Sequence, residues 1–318
     1  MKSDEKQTDS PQWERETLEK LVFAMLDEKK AARRWGIVWR TGIFLLIATV
    51  VWMGFSNVPS SSAPSTPHTA VVDIKGEIGS GAEANSTDIL DALRSAFEDA
   101  GALAVVLVID SPGGSPVHAG VINDEIHRLK ALHGKPVYAV VEDSCASAAY
   151  YVAASADMIY VDKASIVGSI GVLMDGFGFT GLMDKVGIER RLLTAGANKG
   201  FLDPFSPQTE QQRIHALGML KEIHDQFITV VRTGRGERLK ETPDMFSGLF
   251  WSGQQAVQLG LADGLGSVDY VAREIVKAEE IVDYTRRDNV AERLVKRFGA
   301  ALAEATVRAV VANGTKIH

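Results

Sequence analysis

The sequence predicts an α/β domain built on a parallel sheet. Three observations carry this reading: continuous apolar runs of strand length, amphipathic stretches between them, and Gly-rich turns where one gives way to the other. Of the 318 residues, 46% are hydrophobic, which is ample for one sizeable core. Residues 70–74 read as a first strand, and 86–100 as a helix with Ile89, Leu90, Leu93 and Phe97 on one face. Residues 104–110 form a buried strand that runs into Ser111-Pro112-Gly113-Gly114, and a helix follows to about Leu132. Residues 136–141 are the next buried strand, and a helix starts between Ser147 and Ala154. Residues 157–161, 166–172 and 189–193 are shorter strand candidates, and 207–232 is a long helix. No internal repeat is visible, so a single unit is expected.

Composition narrows the function classes. A net charge of -7 without a concentrated basic face disfavours a nucleic-acid partner. The single cysteine, Cys145, leaves no intramolecular disulfide to form. No zinc, phosphate-loop or HExxH pattern is present, so neither a metal nor a cofactor is expected.

The N-terminal part is read as a membrane anchor. Residues 35–55 (WGIVWRTGIFLLIATVVWMGF) are apolar apart from Arg40, and a helix of that length rises about 31 Å, enough for a bilayer core. Trp35, Trp39 and Trp52 stand towards the ends, as interfacial aromatics do. Lys29, Lys30, Arg33 and Arg34 precede the span, which places the N-terminus in the cytoplasm and the rest outside it. The expected organisation is therefore a cytoplasmic amphipathic segment (1–34), a transmembrane signal anchor (35–55), a Pro/Ser-rich linker (56–68), the α/β domain (69–282) and a tail (283–318). The tail has partial helical periodicity at Leu294, Val295, Phe298, Leu302 and Val307, and is read either as a mobile extension or, through its basic and apolar end, as a segment that enters a neighbouring copy as a pseudo-substrate.

The chemistry is expected where strands end, because loops at the carboxyl ends of parallel strands gather functional groups. Ser147 opens a small-residue helix directly after a strand, the position of a sheet-edge nucleophile. Gly113 and Gly114 let a backbone approach a substrate closely, and the amides of Gly114 and Ala148 could form an oxyanion hole. The base is open at this level. His68, His118, His127, His133, His215, His224 and His318 are the available imidazoles, and His118 or His133 with Asp110 or Asp143 would make a Ser-His-Asp arrangement. Lys199 is another base, provided that burial or neighbouring donors favour its neutral form. Cys145 in its apolar run reads as packing.

Several motifs taken in order narrow this further. Asp110-Ser-Pro-Gly-Gly114, Ser144-Cys-Ala-Ser147-Ala-Ala-Tyr-Tyr151, Val167-Gly-Ser-Ile-Gly-Val172, Gly196-Ala-Asn-Lys199 with Asp203-Pro-Phe205, and Trp251-Ser-Gly through Asp263 together resemble the signal peptide peptidase A family, short membrane-anchored form, across about residues 69–280. The resemblance implies a Clp-protease/crotonase-like fold of repeated ββα units and a Ser-Lys serine endopeptidase that degrades cleaved signal peptides at a bacterial inner membrane. It makes Ser147 the nucleophile and Lys199 the general base, with Gly114 and Ala148 as oxyanion donors and Ser169 as a hydroxyl that orients the lysine. It also implies a homo-oligomeric ring, an octamer in short members. Where the family commonly has Ser-Gly-Gly, this chain has Ser147-Ala148-Ala149, which puts the geometry of that turn in question. The other function classes are a non-catalytic membrane-anchored scaffold and an acyl-CoA-processing relative; an external location disfavours the latter.

Overall fold

The computed structural model describes residues 66–286, together with helical residues 35, 37, 39–46, 48 and 49. The segment 1–34, much of the 35–55 span, nearly all of the linker and the tail beyond 286 lie outside the described residues. No helix among the described residues is long and apolar enough to cross a membrane.

The chain enters the body on β1 (His68–Lys75), a small parallel pair β2 (Ile78–Gly79) and β3 (Ala84–Asn85), and helix α1 (Ser86–Glu98). Next come β4 (Ala102–Ser111), α2 (Pro116–His133), β5 (Val137–Ala146), α3 (Ala148–Ala153), β6 (Met158–Val161) and β7 (Ile166–Gly168). Helices α4 (Thr180–Val186) and α5 (Glu210–Arg235) then precede β8 (Phe250–Ser252), α6 (Gly253–Gln258), β9 (Gly264–Leu265) and β10 (Ile281–Asp283). The main sheet runs β10-β1-β4-β5-β6-β9 with every pairing parallel. Beyond the end of β6, β5 continues and pairs instead with β7, which pairs antiparallel with β8.

Local chemistry sets the helix ends. Asn85 caps α1 by accepting from the Thr87 amide, Pro116 opens α2 where an amide would lack a partner, and Gly134 closes α2 in the left-handed conformation. Thr209 with Gln212, and Ser252 with Gln255, form reciprocal capping boxes on α5 and α6. The alternating strand residues divide between two cores. Val72, Ile74, Val105, Leu107, Ile109, Ala139 and Val141 face α1, α2 and α3, while Val71, Val106, Val108, Val140 and Tyr160 face the helical segment 268–276.

Residues 189–193, expected as a strand, are irregular and exposed. A strand needs a neighbour for its backbone groups, and the body offers this segment none. The chain from 171 to 206 instead makes an excursion containing α4, a helix absent from the sequence reading.

One buried ion pair ties the far end of α5 to the sheet. Arg235, 1% exposed, forks onto both oxygens of Asp263 at 2.8 and 2.9 Å and donates Nε to the Gly260 carbonyl. Asp263 also accepts from the Ile159 amide. Burial raises the Asp263 carboxyl, but the Arg235 fork outweighs it and holds the group below the usual aspartate range.

Candidate active site

Ser147 stands between the last residue of β5 and the first of α3, with φ 53 and ψ -124. A residue with a Cβ is strained there by about 1–3 kcal/mol, and the surroundings hold it in place. Its amide donates to the Gly168 carbonyl at 2.8 Å, and its own carbonyl accepts from Tyr151 at 3.1 Å. Cys145, Ala148, Ala149 and Ala153 are buried around it, so the small-residue run is a packing requirement. Burial pushes the Cys145 thiol far up, which leaves it an inert filler. Ser147 itself is half-buried and its hydroxyl caps nothing. The result is a strand-to-helix elbow that presents a hydroxyl at the carboxyl end of a parallel strand.

The Ala148-Ala149 departure falls where it does no harm. Both residues are helical, and the demand for a positive φ rests on Ser147 alone in this turn. Alanine suits a helix interior. As the first helical residue, Ala148 has an amide with no partner inside the helix.

The Ser111–Gly114 loop lies against this elbow. A Cβ on Gly113, whose φ is 108, would fall 2.8 Å from Ser147 Cβ and 3.0 Å from the Ala148 nitrogen, so only glycine allows the approach. The loop is pinned on its other side: the Ile78 amide donates to the Gly113 carbonyl at 2.8 Å, and the Ser115 amide to the Ile78 carbonyl at 2.9 Å. In that parallel bridge the Gly114 amide points away from Ile78. The Gly113 amide is taken up by Ser111 Oγ. The Gly114 amide is thus left out of the bridge to Ile78, and the Ala148 amide has no partner inside its helix; backbone donors of this kind are what an oxyanion needs.

Ser169 follows Gly168, whose register partner is Ala146, so Ser147 and Ser169 sit one step beyond a paired position on adjacent strands. Ser169 too has positive φ, at 51, with its amide on the Leu249 carbonyl at 2.8 Å.

Lys199 is placed differently. It is exposed, and among the described residues its ammonium makes no hydrogen bond or ion pair, with Ser147 or otherwise. Its excursion is closed from within: Phe179 stacks on Phe205 at 5.5 Å, the Phe179 amide donates to the Pro204 carbonyl, and Asp203 is held by Ser206 and Arg190.

The histidine alternatives are otherwise engaged. His118 Nδ1 pairs with Ser86 Oγ at 2.8 Å, His133 lies against Phe97 at 5.7 Å, and Asp110 accepts from the amide and hydroxyl of Ser144. These contacts assemble no Ser-His-Asp triad on Ser147. Lys75, also at a strand end, pairs with Glu142 at 2.8 Å, and that bond holds its ammonium above the usual lysine range, which disqualifies it as a base. Two grooves of about 630 and 580 Å³ open on the surface, one along Tyr151 and α5, the other beside Glu142, Asp162 and Tyr270, and neither takes in Ser147. Among the described residues, no group of acidic, histidine or cysteine side chains could hold a metal.

Gly168 was legible only as part of a motif, and its carbonyl as the anchor of the Ser147 amide had no local signal. A parallel α/β sheet with a strained serine elbow at a strand end is a geometry that can serve acyl transfer. Residues 130–282 match the model described as peptidase family S49. A Synechocystis sp. protein described as a protease is 30% identical over 200 residues, 62% of this chain and 69% of its own length. The chain belongs to the S49 peptidase family. An Enterococcus faecium protein described as a signal peptide peptidase is 28% identical over 201 residues, 63% of this chain and 58% of its own. A Brucella melitensis protein named as a Na(+)/H(+) antiporter is 48% identical over 178 residues, 55% of this chain but 24% of its own length. The chain therefore spans less than two thirds of these last two relatives.

Proposed function

We propose that this chain is a serine endopeptidase with a Ser147-Lys199 dyad on a Clp-protease/crotonase-like fold. The observation that carries the reading is the Ser147 elbow, with φ 53, packed against Gly113. Ser147 Oγ attacks the scissile carbonyl carbon as its proton passes to neutral Lys199 Nζ, and the Gly114 and Ala148 amides receive the oxyanion. The C–N bond then breaks, Lys199 returns the proton to the leaving amine, and water, deprotonated by the same lysine, releases the acyl group. Ser169 orients the lysine.

A lysine serves as a base only where its charged form is disfavoured, so exposed Lys199 needs cover. A second copy of the chain is the proposed cover. The arm that carries Lys199 exposes Leu173 by 80%, Phe177 by 80% and Leu193 by 96%, the kind of apolar surface that marks an interface. The homo-oligomeric ring, the inner-membrane location with the N-terminus in the cytoplasm, and cleaved signal peptides as substrates belong to the same proposal. The charge pattern around residues 35–55 supports the membrane orientation, the description of the Enterococcus relative supports the substrate class, and the exposed apolar arm supports self-association.

The test is complementation. Ser147→Ala and Lys199→Ala should each lower kcat on an apolar peptide by a factor on the order of 10⁵. Mixed assemblies of the two should regain activity if the dyad forms between copies. Full activity in either single variant sinks the dyad, and inactive mixed assemblies sink its formation between copies.

A further inference from the structure

On α5, His224 and Phe227 stand three positions apart and share a face. His224 Nε2 lies 3.1 Å from the Ile170 carbonyl oxygen, and the Phe227 ring packs on Tyr151 at 5.2 Å. These two contacts reach the two sides of Ser147. Tyr151 is in α3, and its amide holds the Ser147 carbonyl. Ile170 lies two residues beyond Gly168, whose carbonyl holds the Ser147 amide, and next to Ser169, whose φ is 51.

The turn after β7 is anchored by the Ile170 side chain, which is fully buried in the core, and by backbone hydrogen bonds. The Ser169 amide is fixed by Leu249, and the Ser169 carbonyl by the Gly171 amide at 2.9 Å. A non-glycine residue at positive φ persists only where its surroundings over-determine it. To that packing the imidazole of His224 adds a side-chain hydrogen bond from α5 onto the backbone of the turn. Because its partner is a carbonyl, Nε2 must carry the proton and donate. Either charge state of the ring retains that donor, so the bond needs no charge on His224.

We propose that His224 is a positioning residue for the hydrolytic site. Its Nε2–H on the Ile170 carbonyl fixes the Gly168–Ile170 turn, and through it both the Ser147 amide and the Ser169 hydroxyl. The inference rests on the reading of Ser147 as the nucleophile. It assigns α5, remote in sequence from the elbow, the task of setting the angle at which that hydroxyl is presented.

The experiment uses the full-length chain and two variants. His224→Phe keeps an aromatic ring but removes the donor; His224→Gln keeps an N–H near the Nε2 position. Three readouts are taken: kcat and KM on an apolar peptide, the rate at which a fluorophosphonate probe labels Ser147 as located by mass spectrometry, and the urea midpoint. His224→Phe should lower kcat and the labelling rate about tenfold while KM moves less than about twofold, and His224→Gln should stay within about threefold of the parent. Parent-like rates in His224→Phe overturn the proposal. So does equal loss in both variants, an effect confined to KM, or a loss that merely tracks the folded fraction. If the parent is not labelled at Ser147, or Ser147→Ala hydrolyses the peptide at the parent's rate, the nucleophile reading falls first. Labelling of the parent at Ser147 with an unaffected His224→Phe rejects the positioning role alone.

Discussion

Around Ser147, the side chains of Cys145, Ala148 and Ala149 are buried, whereas every residue from 189 to 199 is exposed. The elbow is held by strand register, by Gly113, by the Ser147 amide donating to the Gly168 carbonyl, and by the Tyr151 amide donating to the Ser147 carbonyl. The Lys199 arm is held by its own aromatic cluster and the Asp203 network. In the proposed mechanism the nucleophile must be aimed to within a fraction of an ångström, which the over-determined elbow provides. The proposed base, on a self-contained arm, can be rigid within itself and still depend on whatever covers it.

This contrast can be broken at its root. Arg235→Met leaves the buried Asp263 carboxylate without its fork and should destabilise the fold by about 3–5 kcal/mol in urea unfolding. The double change to apolar residues at 235 and 263 should recover much of that loss. Parent-like unfolding of the single variant would separate α5 from the stability of the elbow.

At the elbow itself, Gly113→Ala should lower kcat by about 10²-fold, because the new methyl would meet Ser147 Cβ and the Ala148 nitrogen. Titration of the active serine by a covalent probe distinguishes this from misfolding.

A smaller, pH-dependent effect belongs to the outer surface of α1 and α2. Hydrogen bonds from Arg128 and then Arg94, against the opposing pull of burial, hold the Glu125 carboxyl at about 2, below its ordinary 4.5. The fold therefore favours the ionised carboxylate. That contribution is complete above pH 4.5 and is lost as pH falls through about 2. The stability gap between the parent and Glu125→Gln should accordingly be widest at neutral pH and close in acid, as followed by denaturant midpoints across pH.

The smallest effect is expected on the arm. Leu193→Ser, at an exposed position, should change unfolding by no more than about 0.5 kcal/mol. Its effect should appear instead in the assembly state by light scattering, if a second copy covers the arm.

Much of the fold was legible because its signals are local. Apolar runs of strand length marked β1, β4 and β5, and small residues after a strand marked the Ser147 turn. The reading failed at 189–193, where an apolar and polar mixture of strand length has no neighbouring strand to pair with. It did not find β8 or β10, which are three residues each and draw their definition from a partner strand.

By itself the sequence determined the α/β class, the place of the serine elbow and the glycine loop that approaches it. Periodicity, turn chemistry and residue size act between neighbours in the chain. Only the tertiary structure decided that the Gly168 carbonyl anchors Ser147, that His224 grips the turn beyond it, and that Lys199 stands apart on an exposed arm. Those contacts join segments far apart in sequence, and a hydrogen bond between two such groups leaves no mark on the residues around either one until the core has brought them together.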